Sequence, residues 1–212
     1  MKHLWYIAGC IVWSLVLLTT LAHAQPPTPI GHVAALQGDV MGRQAGRAAA
    51  ERLSIQSPVY QGDLIQTLAA SKVKLVLVDG TTLTLGPEGA LRLTEYVYTP
   101  SSPQKSLVQV FFGALRAVVQ QVLPGGTVEV HTSNAVAAIR GTDWMARVER
   151  DATAVVVLEG TVSVRQARPG VGQAVVLTAG MGTDVQGDQA PTPPKQWGAA
   201  RIEALRQATT LP

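Results

Sequence analysis

His131, Ser133 and Asp143 are the residues whose types could make a nucleophilic hydrolase site: an imidazole to take a proton, a hydroxyl to attack and a carboxylate to orient the ring. Their surroundings argue against it. Ser133 sits in His131-Thr132-Ser133-Asn134, and no serine of the chain lies in the Gly-x-Ser-x-Gly turn that lifts a nucleophile out of a strand-to-helix elbow. A strand edge or a turn accounts for His131 more simply. Glu129, Asp143, Glu149, Asp151 and Glu159 fall in the most patterned stretch, and a pair of carboxylates is what glycoside hydrolysis requires. Alternation places each of them on a solvated face or at a turn. No phosphate-cradling glycine loop, no strand-Gly-x-Gly-x-x-Gly-helix unit and no acidic calcium loop occurs. The expectation is a chain that is not an enzyme and uses neither cofactor nor metal.

The first residues set the compartment in which the rest works. Met1-Lys2-His3 is followed by an uncharged run from Leu4 to Leu21, then Ala22-His23-Ala24 and Gln25-Pro26-Pro27-Thr28-Pro29. A charged start, an apolar run and a small-x-small site make a secretory signal peptide over 1–24, cut after Ala24, with 25–30 as a linker. The apolar run of roughly 18 residues also reaches the lower limit for spanning a bilayer, so an uncleaved amino-terminal anchor stays open as a second reading. A lipidation reading of Ile7-Ala8-Gly9-Cys10 is opposed by the apolar run continuing well past Cys10. Cleavage would remove the only cysteine and leave His32 and His131 as the only histidines, so a His/Cys zinc cluster and an internal disulfide are both excluded. It would also leave 16 basic against 14 acidic residues, scattered rather than clustered. Such a surface gives no electrostatic footprint for nucleic acid. The expected location is periplasmic or secreted, with no membrane insertion after cleavage.

The elements that must carry any site are strands. With only two Phe, and two of its four Trp in the leader, the core must be built from Val, Leu, Ile and Ala. β-Branched residues in alternation favour strands. Val73 to Val78 and Thr81 to Leu85 alternate around Asp79-Gly80, which reads as a hairpin with a two-residue turn. Further short strands are expected at 91–98, 106–112, 115–119, 127–131, 144–148, 153–158, 161–164 and 174–177, separated by turn residues. This spacing predicts an all-β fold, a two-sheet sandwich or jelly-roll-like domain, over 31–188. The segment 189–212 reads as a Pro-rich linker and a short C-terminal helix over 195–208, with Trp197, Ile202 and Leu205 on one side. A weak internal echo joins Leu36-Gln37-Gly38-Asp39-Val40 to Leu158-Glu159-Gly160-Thr161-Val162, with Phe112-Gly113-Ala114-Leu115 as a looser copy. Glycine between two strand segments permits a sharp bend before the chain re-enters a sheet.

The stretch 128–164 is the most specific. It runs Val128-Glu129-Val130-His131-Thr132, then Ile139-Arg140-Gly141-Thr142-Asp143-Trp144, then Val155-Val156-Val157-Leu158-Glu159-Gly160-Thr161-Val162. Together with the upstream Leu77-Val78-Asp79-Gly80-Thr81-Thr82-Leu83, this order resembles the FecR domain of bacterial envelope regulators. The resemblance implies an all-β domain without catalytic residues. It singles out Asp79, Gly80, Arg140, Gly141, Thr142, Glu159 and Gly160 as motif positions with structural roles. Gly141 and Gly160 permit corners, Thr142 can bond its local backbone, and Arg140 can pair with Glu159 or line a ligand surface. Iron-uptake regulators of that family place a cytoplasmic segment and a membrane helix before the domain. Here only Met1-Lys2-His3 precedes the apolar run. The resemblance therefore implies the module and its compartment rather than a link to a sigma factor. The leading expectation is an exported binding or sensing module in envelope signalling, with an envelope protein as partner. The alternative is a structural scaffold associated with peptidoglycan or another cell-wall component.

Overall fold

The computed structural model of the chain describes residues 27–99, 102–120 and 126–211. The leader and the first residues of the linker lie outside the described residues. Among the described residues no helix is long and apolar enough to cross a membrane. The alternating segments form β1 (Gly31–Gln37), β2 (Val40–Arg43), β3 (Glu51–Arg52), β4 (Pro58–Val59), β5 (Leu64–Thr67), β6 (Lys72–Leu77) and β7 (Thr82–Leu85). There follow β8 (Ala90–Thr99), β9 (Ser102–Val119), β10 (Thr127–His131), β11 (Ala135–Val148), β12 (Ala152–Gln166), β13 (Val175–Thr178), β14 (Met181–Gln186), β15 (Lys195–Gln196) and the helix α1 (Ala199–Thr209). An all-β fold with a short C-terminal helix is what the sequence leads one to expect. The connectivity is more specific than a pair of separate sheets, because hydrogen bonds join all the strands into one open sheet. That sheet is mixed, since β9 and β10 run parallel.

The two-layered form arises from three long strands that change neighbours halfway along. The first part of β9 lies between β8 and β10, and its second part between β7 and β11. In the same way β11 exchanges β10 for β9, while β12 exchanges β14 for β13. The sheet therefore folds over into one layer ordered β3-β2-β5-β8-β9-β10-β11-β12-β13 and another ordered β4-β1-β6-β7-β9-β11-β12-β14-β15. Strands expected as separate segments at 106–112 and 115–119, or at 153–158 and 161–164, are thus single strands bent at glycine. Gly113 (φ +103), Gly141 (φ +57) and Gly160 (φ +86) mark the bends, and Gly38 (φ +71) turns the chain from β1 in one layer into β2 in the other. The Leu-x-Gly-x-Val echo marks these passages between layers.

Alternation slips at each corner. On β9 the core residues are Val108 and Val110 before the bend but Leu115, Ala117 and Val119 after it. On β11 they are Ala135, Ala137 and Ile139, then Trp144, Ala146 and Val148; on β12 they are Val155 and Val157, then Val162 and Val164. An inserted residue at a bulge bends a strand and resets which face its side chains point to. The register between β11 and β12 shifts between Arg140 and Asp143. Both halves of each strand can then direct their apolar sides into one core, where each fully buried Val or Leu contributes roughly 1.5–3 kcal/mol.

The opposite face of the second layer is covered by the helix. Trp197 and Leu205 pack there on Ala114, Met145 and Val156, with Ile202 alongside. The strand expected to alternate at 153–158 is consequently buried on both faces at Val155-Val156-Val157. Lys195 and Gln196, expected in the helix, instead pair with β14, and α1 begins after Gly198. Gly198 supplies no side-chain cap, so packing rather than capping holds the helix. The Trp197 indole abuts Gly182, where a Cβ would collide with it, and the Arg201 guanidinium sits 3.5 Å from the ring centroid. At the far end Lys72 Nζ donates to the carbonyls of Gln207 and Thr210 at 2.7 Å each, so a cation meets the helix C-terminus.

Candidate functional site

The motif residues converge on one end of the molecule, where the corners stack. The β6–β7 hairpin closes through Val78-Asp79-Gly80, a three-residue loop rather than the two-residue turn expected. Gly80 N–H donates to Leu77 C=O at 3.0 Å, Leu77 N–H donates to Thr81 C=O at 2.9 Å, and only Gly80 has a positive φ. A turn followed by a left-handed glycine is the bulged form of hairpin that an Asp-Gly pair also serves. Asp79 holds the loop: its carboxylate accepts from Thr81 N–H and Thr81 Oγ1, both at 2.9 Å. The Asp79 N–H donates to the Tyr96 hydroxyl at 3.1 Å. Burial, and then the Asp79 charge, raise the Tyr96 hydroxyl well above the ordinary tyrosine range.

Gln120, at the end of β9, lies between this hairpin and the corner of β11. A Cβ on Gly80 would come 3.7 Å from the Gln120 Oε1, and one on Gly141 would come 3.5 Å from its carbonyl oxygen. The β12 corner stacks on the β11 corner more tightly. A Cβ at Gly160 would approach the Gly141 carbonyl oxygen to 2.5 Å and the Thr142 methyl to 2.7 Å. Thr142 is buried, and its hydroxyl has no hydrogen-bond partner among the described residues, so it contributes methyl packing at the corner instead of the expected local bond.

Arg140 and Glu159 are both exposed and make no ion pair with each other among the described residues. The carboxylate that is engaged is Asp143, opposite Glu159 across the ladder. It receives Arg116 in a bidentate grip, Nε at 2.9 Å and Nη2 at 2.6 Å. This interaction raises the Arg116 pKa further. Arg116 was not singled out from the sequence, because a pair separated by 27 residues leaves no local pattern.

The triad that could be written from the sequence is not assembled. His131 Nε2 lies 2.6 Å from Glu129 Oε2 on the same strand, and Ser133 Oγ donates to Asn134 Oδ1 at 2.7 Å. Asp143 is held by Arg116 beyond the β11 corner. The other carboxylates of that stretch, Glu149 and Asp151, line an open shelf of about 520 Å³ together with Asp188. Asp188 is paired with Arg168 at 3.0 Å. Among the described residues no group of three or more His, Cys, Asp or Glu could hold a metal ion. A cleft of about 550 Å³ opens between the β2–β3 and β4–β5 loops. Its buried acid, Asp63, accepts from Tyr60 N–H at 2.9 Å and thereby closes the loop it belongs to. Burial raises the Asp63 pKa above its usual value.

A folded β-sheet whose motif residues form its corners, with its long strands shared between two layers, defines a β-scaffold module. Residues 63–163 match the model of the family described as FecR protein. Two crystal structures of a candidate anti-sigma factor from Parabacteroides distasonis ATCC 8503 resemble it. Each gives a TM-score of 0.55 at 21% identity over 68% of this chain, which shows a shared fold. The match spans 64% of the length of those chains. No curated protein matches the sequence.

Proposed function

We propose that this protein is a non-enzymatic binding or sensing module in envelope signalling, working in the periplasm or outside the cell and addressed there by the leader read at 1–24. The observation that carries the reading is the FecR match at 63–163, in which Asp79, Gly80, Gly141, Thr142 and Gly160 build a hairpin and corners rather than a reactive group. The fold shared with a candidate anti-sigma factor agrees with a place in a signalling assembly. A structural scaffold would need a free apolar surface for the cell wall, and the C-terminal helix is an element that could offer one. Trp197 and Leu205 are instead buried on the domain's own sheet, which favours the binding module.

Fractionation with crosslinking of the full chain tests the proposal. Recovery in the periplasmic fraction, joined to a receptor or signalling protein, is the expected result. Recovery with the cell-wall sacculus would turn the assignment to scaffolding. A hydrolase activity of the purified chain, abolished by changing a single carboxylate, would overturn the non-enzymatic reading.

A further inference from the structure

A layer of strands ends on each side in a row of unpaired N–H and C=O groups, and folded proteins blunt such edges with short strands, charges or proline. Three of the four layer edges here are blunted in this way. They end in Glu51–Arg52, Pro58–Val59 and Lys195–Gln196, each two residues long and carrying a charge or a proline. Beside Lys195–Gln196 the flank of β14 is also closed: Thr192 N–H donates to Asp184 C=O at 2.9 Å, and Thr183 Oγ1 donates to Thr192 C=O at 2.6 Å. The fourth edge is different. β13, Val175-Val176-Leu177-Thr178, has neither charge nor proline and pairs only with β12 among the described residues. Leu177 is anchored in the core, and Val176 is 58% exposed on the outer face.

We propose that β13 is a docking edge for an extended segment of a partner protein, which joins the sheet as an additional strand; this rests on the reading of the chain as a binding module. Four residues at ~3.4 Å each span about 14 Å. A twofold pairing of β13 with a second copy would fall well short of the ~1,200 Å² that stable dimers bury. One added strand fits that length, gaining main-chain hydrogen bonds from the edge and specificity from alternate side chains. On the outer face Val176 lies opposite Ser163, and Arg165, two residues along β12 on the same face, is exposed. The matching segment carries a β-branched residue against Val176 and an acidic side chain within reach of the Arg165 guanidinium.

The test uses isotope-labelled protein and a blocked seven-residue peptide of alternating valine and threonine with one glutamate. The same peptide with a central proline is the control. Amide shifts and exchange protection confined to 174–179 and the adjoining part of β12 are expected, with no response to the proline peptide. Val176→Lys should weaken binding at least about tenfold while leaving thermal unfolding unchanged. Val78→Lys, at an equally exposed valine in the hairpin loop, should leave binding intact. No binding at about 1 mM peptide, or binding indifferent to Val176→Lys, would overturn the proposal. Concentration-dependent dimerisation abolished by Val176→Lys would overturn it too, assigning the edge to a second copy. A receptor crosslink that survives Val176→Lys defeats the docking edge alone. A hydrolase activity defeats the functional reading while leaving the edge in place.

Discussion

Replacing Gly160 by alanine tests whether the motif glycines are structural, and the structure supplies its own control. Gly160 has φ +86, outside the range that residues with a Cβ adopt readily. Forcing alanine into the left-handed region costs roughly 1–2 kcal/mol. A Cβ there would also sit 2.5 Å from the Gly141 carbonyl oxygen, a backbone atom of the β11 corner, and 2.7 Å from the Thr142 methyl. Relieving such a contact requires the two stacked corners to separate, adding about 1–3 kcal/mol of overpacking. Gly170 has a similar φ of +80 but nothing within 4 Å of its Cβ position. Gly170→Ala should therefore cost about 1–2 kcal/mol and Gly160→Ala about 2–5 kcal/mol. At roughly 3 °C per kcal/mol for a chain of this size, the Gly160 variant should lose about 6–15 °C in Tm. Urea and thermal unfolding followed by tryptophan fluorescence measure both. Equal losses for the two variants would refute the stacked-corner account, because the φ penalty alone would then explain Gly160.

Further outcomes follow from the same packing. In a double-mutant cycle with Arg116→Met and Asp143→Asn, the bidentate, half-buried pair should show a coupling of about 1–2 kcal/mol by urea unfolding, largely retained at high salt. Asp63 has a raised pKa, so its contribution to stability is complete below the unfolded value of 3.8 and is lost as pH rises through the folded value. Asp63→Asn, which keeps an acceptor for Tyr60 N–H, should match the parent below about pH 4 and exceed it at pH 7 in urea midpoint. Trp197→Ala removes the anchor of α1 and should cost about 3–5 kcal/mol. Hydrogen exchange should show protection lost over 199–209 while the β12 core amides stay protected.

Much of the fold was legible because period-two alternation is a local property. The hairpin at 72–85 and the strand at 127–131 stand where the alternation places them, within a residue or two. The glycine echo pointed at the right positions, since a sharp bend between strands needs a residue without a Cβ. Strand continuity was not legible, because a glycine that ends a strand and one that bends it look alike until the neighbours on both sides are known. The run Ala154 to Leu158 did carry a readable sign of burial on both faces, since uninterrupted apolar residues mark a strand with no solvated side. Alternation alone could not say that Trp197 and Met145 would supply the second cover.

Residue type and near-neighbour spacing suffice for the strand content, the corner glycines, a single cysteine at Cys10 and the absence of a motif for phosphate or metal. The tertiary structure alone decided that Asp143 is held by Arg116 rather than offered to His131, and that the stacked corners leave a Cβ no room at Gly160. It also decided that β13 remains an unblunted edge. Each of these depends on which distant strand becomes a neighbour, and pairing between strands is set by the burial of the whole core.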